Sequence, residues 1–240
     1  MILALEYKKV KRTGFVPAII AGGVLSAMVP IVNMAVRAEL YTGQSKPPIQ
    51  ILLEANWQMM AMLNILLVTI GACVMYNTEY LGNAIQKMRT LPVDEGKLFL
   101  GKSFLLMAMC AAVLLIEGGT VAFCTAYWFQ ASGGVIIEIS KNFLYSFLLM
   151  LPVILLSLLI ASMCSNMWIS LGIGVICISI ATMLPVNKFI LSLFPFALPY
   201  QIFAGTAKSS ICSFAVGAIL ECACIVALEI VFLKVRRLFV

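Results

Sequence analysis

Residues 96–124 read GKLFLGKSFLLMAMCAAVLLIEGGTVAFC. The first eight letters satisfy the pattern G-x-x-x-x-G-K-[ST], in which backbone amides cradle phosphates and a lysine reaches the terminal ones. The letters after them form an apolar run with a single charge, Glu117, long enough to cross a bilayer, which takes about 20 apolar residues. The two readings compete. A phosphate loop has to follow a strand and open a soluble helix, with a backbone free enough for phosphate to approach. Here Lys97, Leu98, Phe99 and Leu100 fill the intervening positions, three of them bulky. The polar stretch around the motif, 79–102, is also far too short for a nucleotide-binding domain. GKLFLGKS therefore reads as the start of a membrane helix. Asp94, after the breaker Pro92, caps it, and Val93 and Leu98 occupy staple positions around the cap. Lys97 and Lys102 are expected at headgroup level, with the leucines and Phe99 in lipid.

The rest of the chain agrees. It has 240 residues, 63% hydrophobic and 11% charged, whereas a soluble domain is about a quarter charged. This is the composition of a polytopic, all-α membrane protein, read as one transmembrane domain over 1–240 with no nucleotide-binding domain. Its excess of cations does not by itself point to nucleic acid. Histidine is absent, which removes the commonest catalytic base and metal ligand. The cysteines at 73, 110, 124, 164, 177, 212, 222 and 224 lack C-x-x-C spacing and mostly sit in apolar runs. They read as small buried hydrophobes, and no catalytic, cofactor-binding or metal site is expected.

Six stretches are apolar enough to span: about 13–36, 56–78, 103–129, 143–163, 168–184 and 210–233. Before the first, ILALEYKKVKR mixes apolar residues with Lys8, Lys9, Lys11 and Arg12, as a short amphipathic helix on the membrane surface does. Before the last, the apolar segment NKFILSLFPFALPYQIFAGTAKSS is broken by Pro195 and Pro199. It is expected to form an outer hairpin, re-entrant or simply packed. Eleven lysines and arginines fall on the face bearing both termini and the 79–102 loop, against Arg37, Lys46, Lys141, Lys188 and Lys208 on the other. The positive-inside rule puts both termini in the cytoplasm. Trp57, Tyr76, Tyr127, Trp128 and Trp168 fall near span ends and are expected at the interface.

Two features remain. On a helix, Leu81, Ile85 and Met88 of EYLGNAIQKMR form one stripe with Asn83, Gln86, Lys87 and Arg89 largely elsewhere, and Thr90-Leu91-Pro92 turns the chain back into the membrane. Such a helix either rests on headgroups or docks another protein. Glu117 and Glu221 lie near the middle of their spans, where an ionised acid is costly. No lysine or arginine shares that depth. Both are expected to face protein, either neutral or hydrogen-bonded to Ser, Thr, Asn or Tyr, as functional polar points inside the membrane or as packing contacts only. Glu229 lies near enough to the C-terminal end to meet Lys234, Arg236 or an N-terminal cation. Gly22-Gly23, Gly118-Gly119 and Gly172/Gly174 permit close helix approach.

The basic surface helix, six spans, a T-E-Y…M-R-T-L-P-V…G-K loop and a Pro-broken hairpin before the last span together resemble the ABC-2 type permeases. The length and the start EYKKVKRTG are similar to the small permease subunits of bacterial lantibiotic-immunity and bacitracin-resistance exporters. The resemblance implies an exporter subunit in a bacterial cytoplasmic membrane that expels a lantibiotic-like peptide. It would pair with a second permease copy or a sister, and with two ABC ATPase subunits that hold the ATP and Mg. The coupling helix then maps onto Glu79, Tyr80, Leu81, Ile85, Lys87, Met88 and Arg89, with Leu91 and Pro92 in its exit turn, and Glu117 and Glu221 become candidate points on the substrate route or the permease seam. The outer loops carry five cations against Glu39, Glu54 and Glu138, so charge does not select a cationic peptide, and another lipid or drug substrate stays open. From other classes, an intramembrane enzyme would turn over substrate alone, and a non-transporting sensor would show no substrate-stimulated ATP hydrolysis.

Overall fold

The computed structural model describes residues 2–11, 13–80, 95–130, 134–184 and 189–238. These residues are almost all helical, without a strand among them. In chain order the helices are α1 (Ile2–Lys11), α2 (Phe15–Thr42), α3 (Pro48–Tyr80), α4 (Glu95–Phe129), α5 (Val135–Met163), α6 (Met167–Met183), α7 (Phe189–Ser192) and α8 (Lys208–Leu238), with a 3₁₀ turn at Leu198–Tyr200.

Five of them, α2, α3, α4, α5 and α8, are long and apolar enough to cross a membrane. The fifth expected span, 168–184, corresponds to α6, which has 17 residues, about 25 Å at 1.5 Å per residue and short of a ~30 Å hydrocarbon core. The long helices overrun the apolar stretches; α3, for example, starts at Pro48 where apolarity suggests about 56. Hydropathy marks only the part that leaves water, while i→i−4 bonding carries the helix on through polar turns at either end. Local chemistry sets other boundaries. Gly14 and Gly134 precede α2 and α5 with φ of 72° and 74°, a region that strains any residue with a Cβ. Asn166 opens α6 by accepting the Trp168 amide at 2.9 Å. Pro30 and non-helical geometry at Arg37 bend α2.

α3 and α5 lie at the centre and are the most buried of the spans, whereas α2 and α8 are peripheral. α2 and α4 pack extensively on each other, and α8 leans mainly on α5. Outward-facing side chains are largely apolar, among them Leu115, Ile176 and Leu220, as lipid requires. α1 packs one face against α4, with Glu6 and Val10 almost fully buried because the acid finds a cation inside the bundle, while Tyr7, Lys8 and Lys11 stay exposed.

Gly174 marks the closest approach of α6 to α3, since a Cβ there would lie 2.3 Å from Thr69 Cγ2. Thr69 cannot easily turn away, because its hydroxyl donates to the Ile65 carbonyl at 2.9 Å. Gly174→Val is expected to lower stability by about 1–3 kcal/mol through overpacking, read as a lower thermal midpoint in detergent. Gly119→Val and Gly172→Val, which meet open space, should leave it nearly unchanged.

Candidate functional site

On α4 the inward stripe runs Phe99, Lys102, Leu106, Cys110, Val113 and Glu117, at helical spacing and all buried. The polar members at its two ends organise two separate sites. Lys102 is fully buried, with Nζ 3.0 Å from Glu6 Oε2 of α1 and 2.5 Å from Glu79 Oε1 of α3. Lys9 bridges the same carboxylates from the rim, at 2.8 Å from Glu6 and 3.2 Å from Glu79. The ring of Tyr76 lies under Lys102 Nζ, 5.2 Å from its centroid. Two cations and two anions alternate, so each buried charge has an opposite neighbour.

Burial pulls the Lys9 ammonium down, but its hydrogen bond to Glu6 and the charges of Glu6 and Glu79 outweigh it, and the pKa is raised above 10.5. A raised lysine contributes stability fully below its unfolded pKa and loses it only as pH climbs through the folded one. The Lys9 contribution is therefore intact at neutral pH.

The structure corrects the headgroup placement of Lys102 and the lipid placement of Phe99: both point into the protein. The look-alike phosphate motif is thereby accounted for, since Gly101-Lys102-Ser103 sits within a continuous helix and its ammonium is held by two carboxylates. The stripe on α4 carries the signal for this, as Lys102 falls in register with five buried side chains. No comparable pattern marks Glu6 as its partner.

Of the residues assigned to coupling, Glu79 and Tyr80 are described. Leu81, Ile85, Lys87, Met88, Arg89, Leu91 and Pro92, with the cap Asp94, lie outside the described residues. Glu79 is not a surface residue but part of the ion cluster. Tyr80 donates its hydroxyl to the Ser162 carbonyl at 2.6 Å, tying the end of α3 to the end of α5. The stretch 81–94 is thus flanked by two anchors, Glu79–Lys102 across its two ends and Tyr80 to α5. Glu229 of α8 is buried and close enough for its charge to act on Tyr76, which brings α8 to the same end of the bundle.

The second site is in the middle of the spans. Glu117 is fully buried and accepts from Ser26 of α2 at one oxygen and from Asn64 Nδ2 of α3, at 2.9 Å, at the other. It faces protein and bonds to Ser and Asn, as its depth demands. Glu221 is half-buried on α8, and its Oε2 is enclosed without a hydrogen-bond partner among the described residues. Among the described residues the two acids share no hydrogen-bond partner.

Trp57 and Tyr76, expected at the interface, are both buried in protein, Tyr76 beside the ion cluster and Trp57 at the opposite end of α3. Trp57 donates to the Pro199 carbonyl at 2.9 Å and meets Phe143 edge-on, so it anchors the Pro-broken hairpin. Asn142 of α5 adds a second tether by accepting the Ala204 amide at 2.9 Å. Trp168 and Tyr127, by contrast, project outward. All eight cysteines are free; Cys73, Cys110 and Cys124 are buried, whereas Cys212 and Cys224 face outward.

The family model described as ABC-2 family transporter protein matches residues 2–181, from α1 to the end of α6. No curated protein and no solved structure matches the chain.

Proposed function

Because this chain belongs to the ABC-2 transporter family, it is a membrane permease subunit of an ABC transporter that works with an ABC ATPase, and we propose that it serves an exporter. The exporter removes an amphipathic, lantibiotic-like antimicrobial peptide from a bacterial cytoplasmic membrane, with both termini of this chain in the cytoplasm. Two ATPases carry ATP and Mg, and a second permease, a copy or a sister, completes the path. The peptide class follows from the similarity of EYKKVKRTG and the chain length to immunity permeases.

The observation that carries the mechanical part is the ion cluster beside residues 81–94. Glu79 ends α3 and Lys102 lies in the first turns of α4, and their pairing, with Glu6, makes α1, α3 and α4 one body at this end. Tyr80 extends that body to α5. ATP-driven closure displaces the helix at Glu79–Arg89, and the displacement reaches four helices together instead of bending one loop.

Charge reversal at Lys87 and Arg89 is the test. Lys87→Glu with Arg89→Glu should abolish resistance in cells and remove the ATPase from the purified complex, or leave ATP hydrolysis unlinked to export. Unchanged resistance with unchanged co-purification would overturn the coupling assignment.

A further inference from the structure

Phe214 and Ala218 of α8 pack on Tyr145 and Leu149 of α5. Further round the same helix, Leu220, Cys224, Leu228 and Val231 recur at helical spacing and all are exposed. α8 is also the least covered of the five membrane-crossing helices. An apolar outer face alone needs nothing but lipid. Glu221 stands at the edge of this row, about one turn before Cys224 and near the middle of the span, and it needs more.

Glu221 is half-buried. Its Oε2 is enclosed by the chain without a hydrogen-bond partner, which leaves Oε1 to reach outward. Among the described residues no hydrogen bond or ion pair engages either oxygen. Outward polar side chains elsewhere in the spans are provided for. Asn33 donates to Asn56 at 2.7 Å, and Thr120, Ser179 and Ser213 donate to carbonyls of their own helices. A lone acid at this depth is costly unless a polar partner covers it, and acyl chains have no polar atom to give.

No lysine or arginine of this chain lies at that depth, so a second copy brings to Glu221 not a salt bridge but the same acid. A neutral carboxyl is both donor and acceptor. It is therefore self-complementary, as a contact on a two-fold axis has to be, where a residue meets its own counterpart. We propose that the outer face of α8 is the seam with a second copy of this chain. The two Glu221 carboxyls hydrogen-bond to each other across a two-fold axis normal to the membrane, and the rows of Leu220, Cys224, Leu228 and Val231 pack beside them. The seam rests on the reading of this chain as one of a permease pair, and it names the partner and the contact. α8 lies beyond the residues matched by the family model.

The full chain carries its own reporters, since Cys212 and Cys224 are both exposed. Cys224 belongs to the seam, whereas Cys212 is nine residues before Glu221, about half a turn round on the opposite side of the helix. Membranes holding the full chain are treated with copper phenanthroline, which oxidises two adjacent thiols to a disulfide, and the products are run on a non-reducing gel. The expected result is a reducible dimer in the wild type and in Cys212→Ser, and none in Cys224→Ser. A dimer kept in Cys224→Ser, or none in any chain, would overturn the seam.

The acid pair is tested by energy transfer between donor- and acceptor-labelled copies diluted in liposomes. Glu221→Gln keeps a donor and an acceptor and should associate like the wild type. Glu221→Leu has neither and should associate about tenfold more weakly, the scale of two neutral hydrogen bonds. Its thermal midpoint in detergent should be unchanged or higher, because it deletes an acid that its own chain leaves unpaired. A lower midpoint, or equal association of all three chains, would overturn the pair. Capture of a sister permease in place of a second tagged copy would overturn the seam and leave the exporter reading standing, which the charge-reversal experiment judges separately.

Discussion

Lys102→Met should destabilise the protein by about 3–5 kcal/mol, the cost of leaving buried charges without their partner. For a chain of this size that is a drop of roughly 10 °C in thermal midpoint. The reason is geometric: Nζ of Lys102 is the only cation wholly inside the cluster among the described residues, and it stands between Glu6 and Glu79. Lys9 touches both acids from a half-exposed position and cannot neutralise them as fully. The triple variant Glu6→Gln, Glu79→Gln, Lys102→Met removes the acids with the base, and a buried ion network replaced wholesale is often nearly neutral. It should therefore regain most of the lost midpoint. Equal midpoints for the single variant and wild type, followed by differential scanning fluorimetry in detergent, would show that the cluster does not form. Export by the triple variant then separates two roles of the cluster. Stability recovered without export means that the charges transmit motion as well as hold helices.

Glu117→Ala is expected to cost a similar amount, about 3–5 kcal/mol, from an unfilled volume plus the stranded polar groups of Ser26 and Asn64. Glu117→Gln should cost far less, under about 1 kcal/mol, for a reason visible in the hydrogen bonding. Asn64 Oδ1 has no partner in the present arrangement. A turn of the Asn64 amide presents that oxygen to the new glutamine N–H, while Ser26 still donates to the glutamine oxygen. Because the fold survives, the Gln variant isolates chemistry from packing. Normal assembly with lost export would place the acid on the substrate route, whereas normal export would reduce Glu117 to a contact that joins α2, α3 and α4. A Gln variant as unstable as the Ala variant would contradict the hydrogen-bond assignment itself.

The two sites have different energetic characters. Glu117 ties three helices through the hydrogen bonds it accepts from Ser26 and Asn64, deep in the spans. The cluster of Glu6, Lys9, Glu79 and Lys102 joins α1, α3 and α4 at the end where residues 81–94 emerge. α8 is held differently, mainly by the apolar stripe of Phe214, Ala218 and Ile225, with Glu229 at its terminal end.

Much of this was open to reading from residues alone. The apolar runs identify a helical membrane protein, the run after Ser103 rejects the phosphate loop, and the depth of Glu117 demands a polar neighbour inside the protein. The glycine at 174 suggests a close approach and makes one, whereas Gly119 and Gly172 look the same in sequence and meet nothing. Trp57 reads as an interfacial ring and instead anchors the hairpin. Lys102 reads as a headgroup lysine and instead fills the centre of an ion cluster. In each case the misjudged quantity is the neighbour, not the helix.

The amino-acid order by itself determined the class of solvent, the all-helical character and the rough position of the apolar helices. Only the tertiary structure decided that Glu6 and Glu79 meet Lys102 and that Ser26 and Asn64 hold Glu117. Hydropathy measures the free energy of leaving water and is almost indifferent to whether lipid or protein receives the side chain. The identity of the receiving surface is fixed by helix packing, which brings together residues as far apart as 6 and 102.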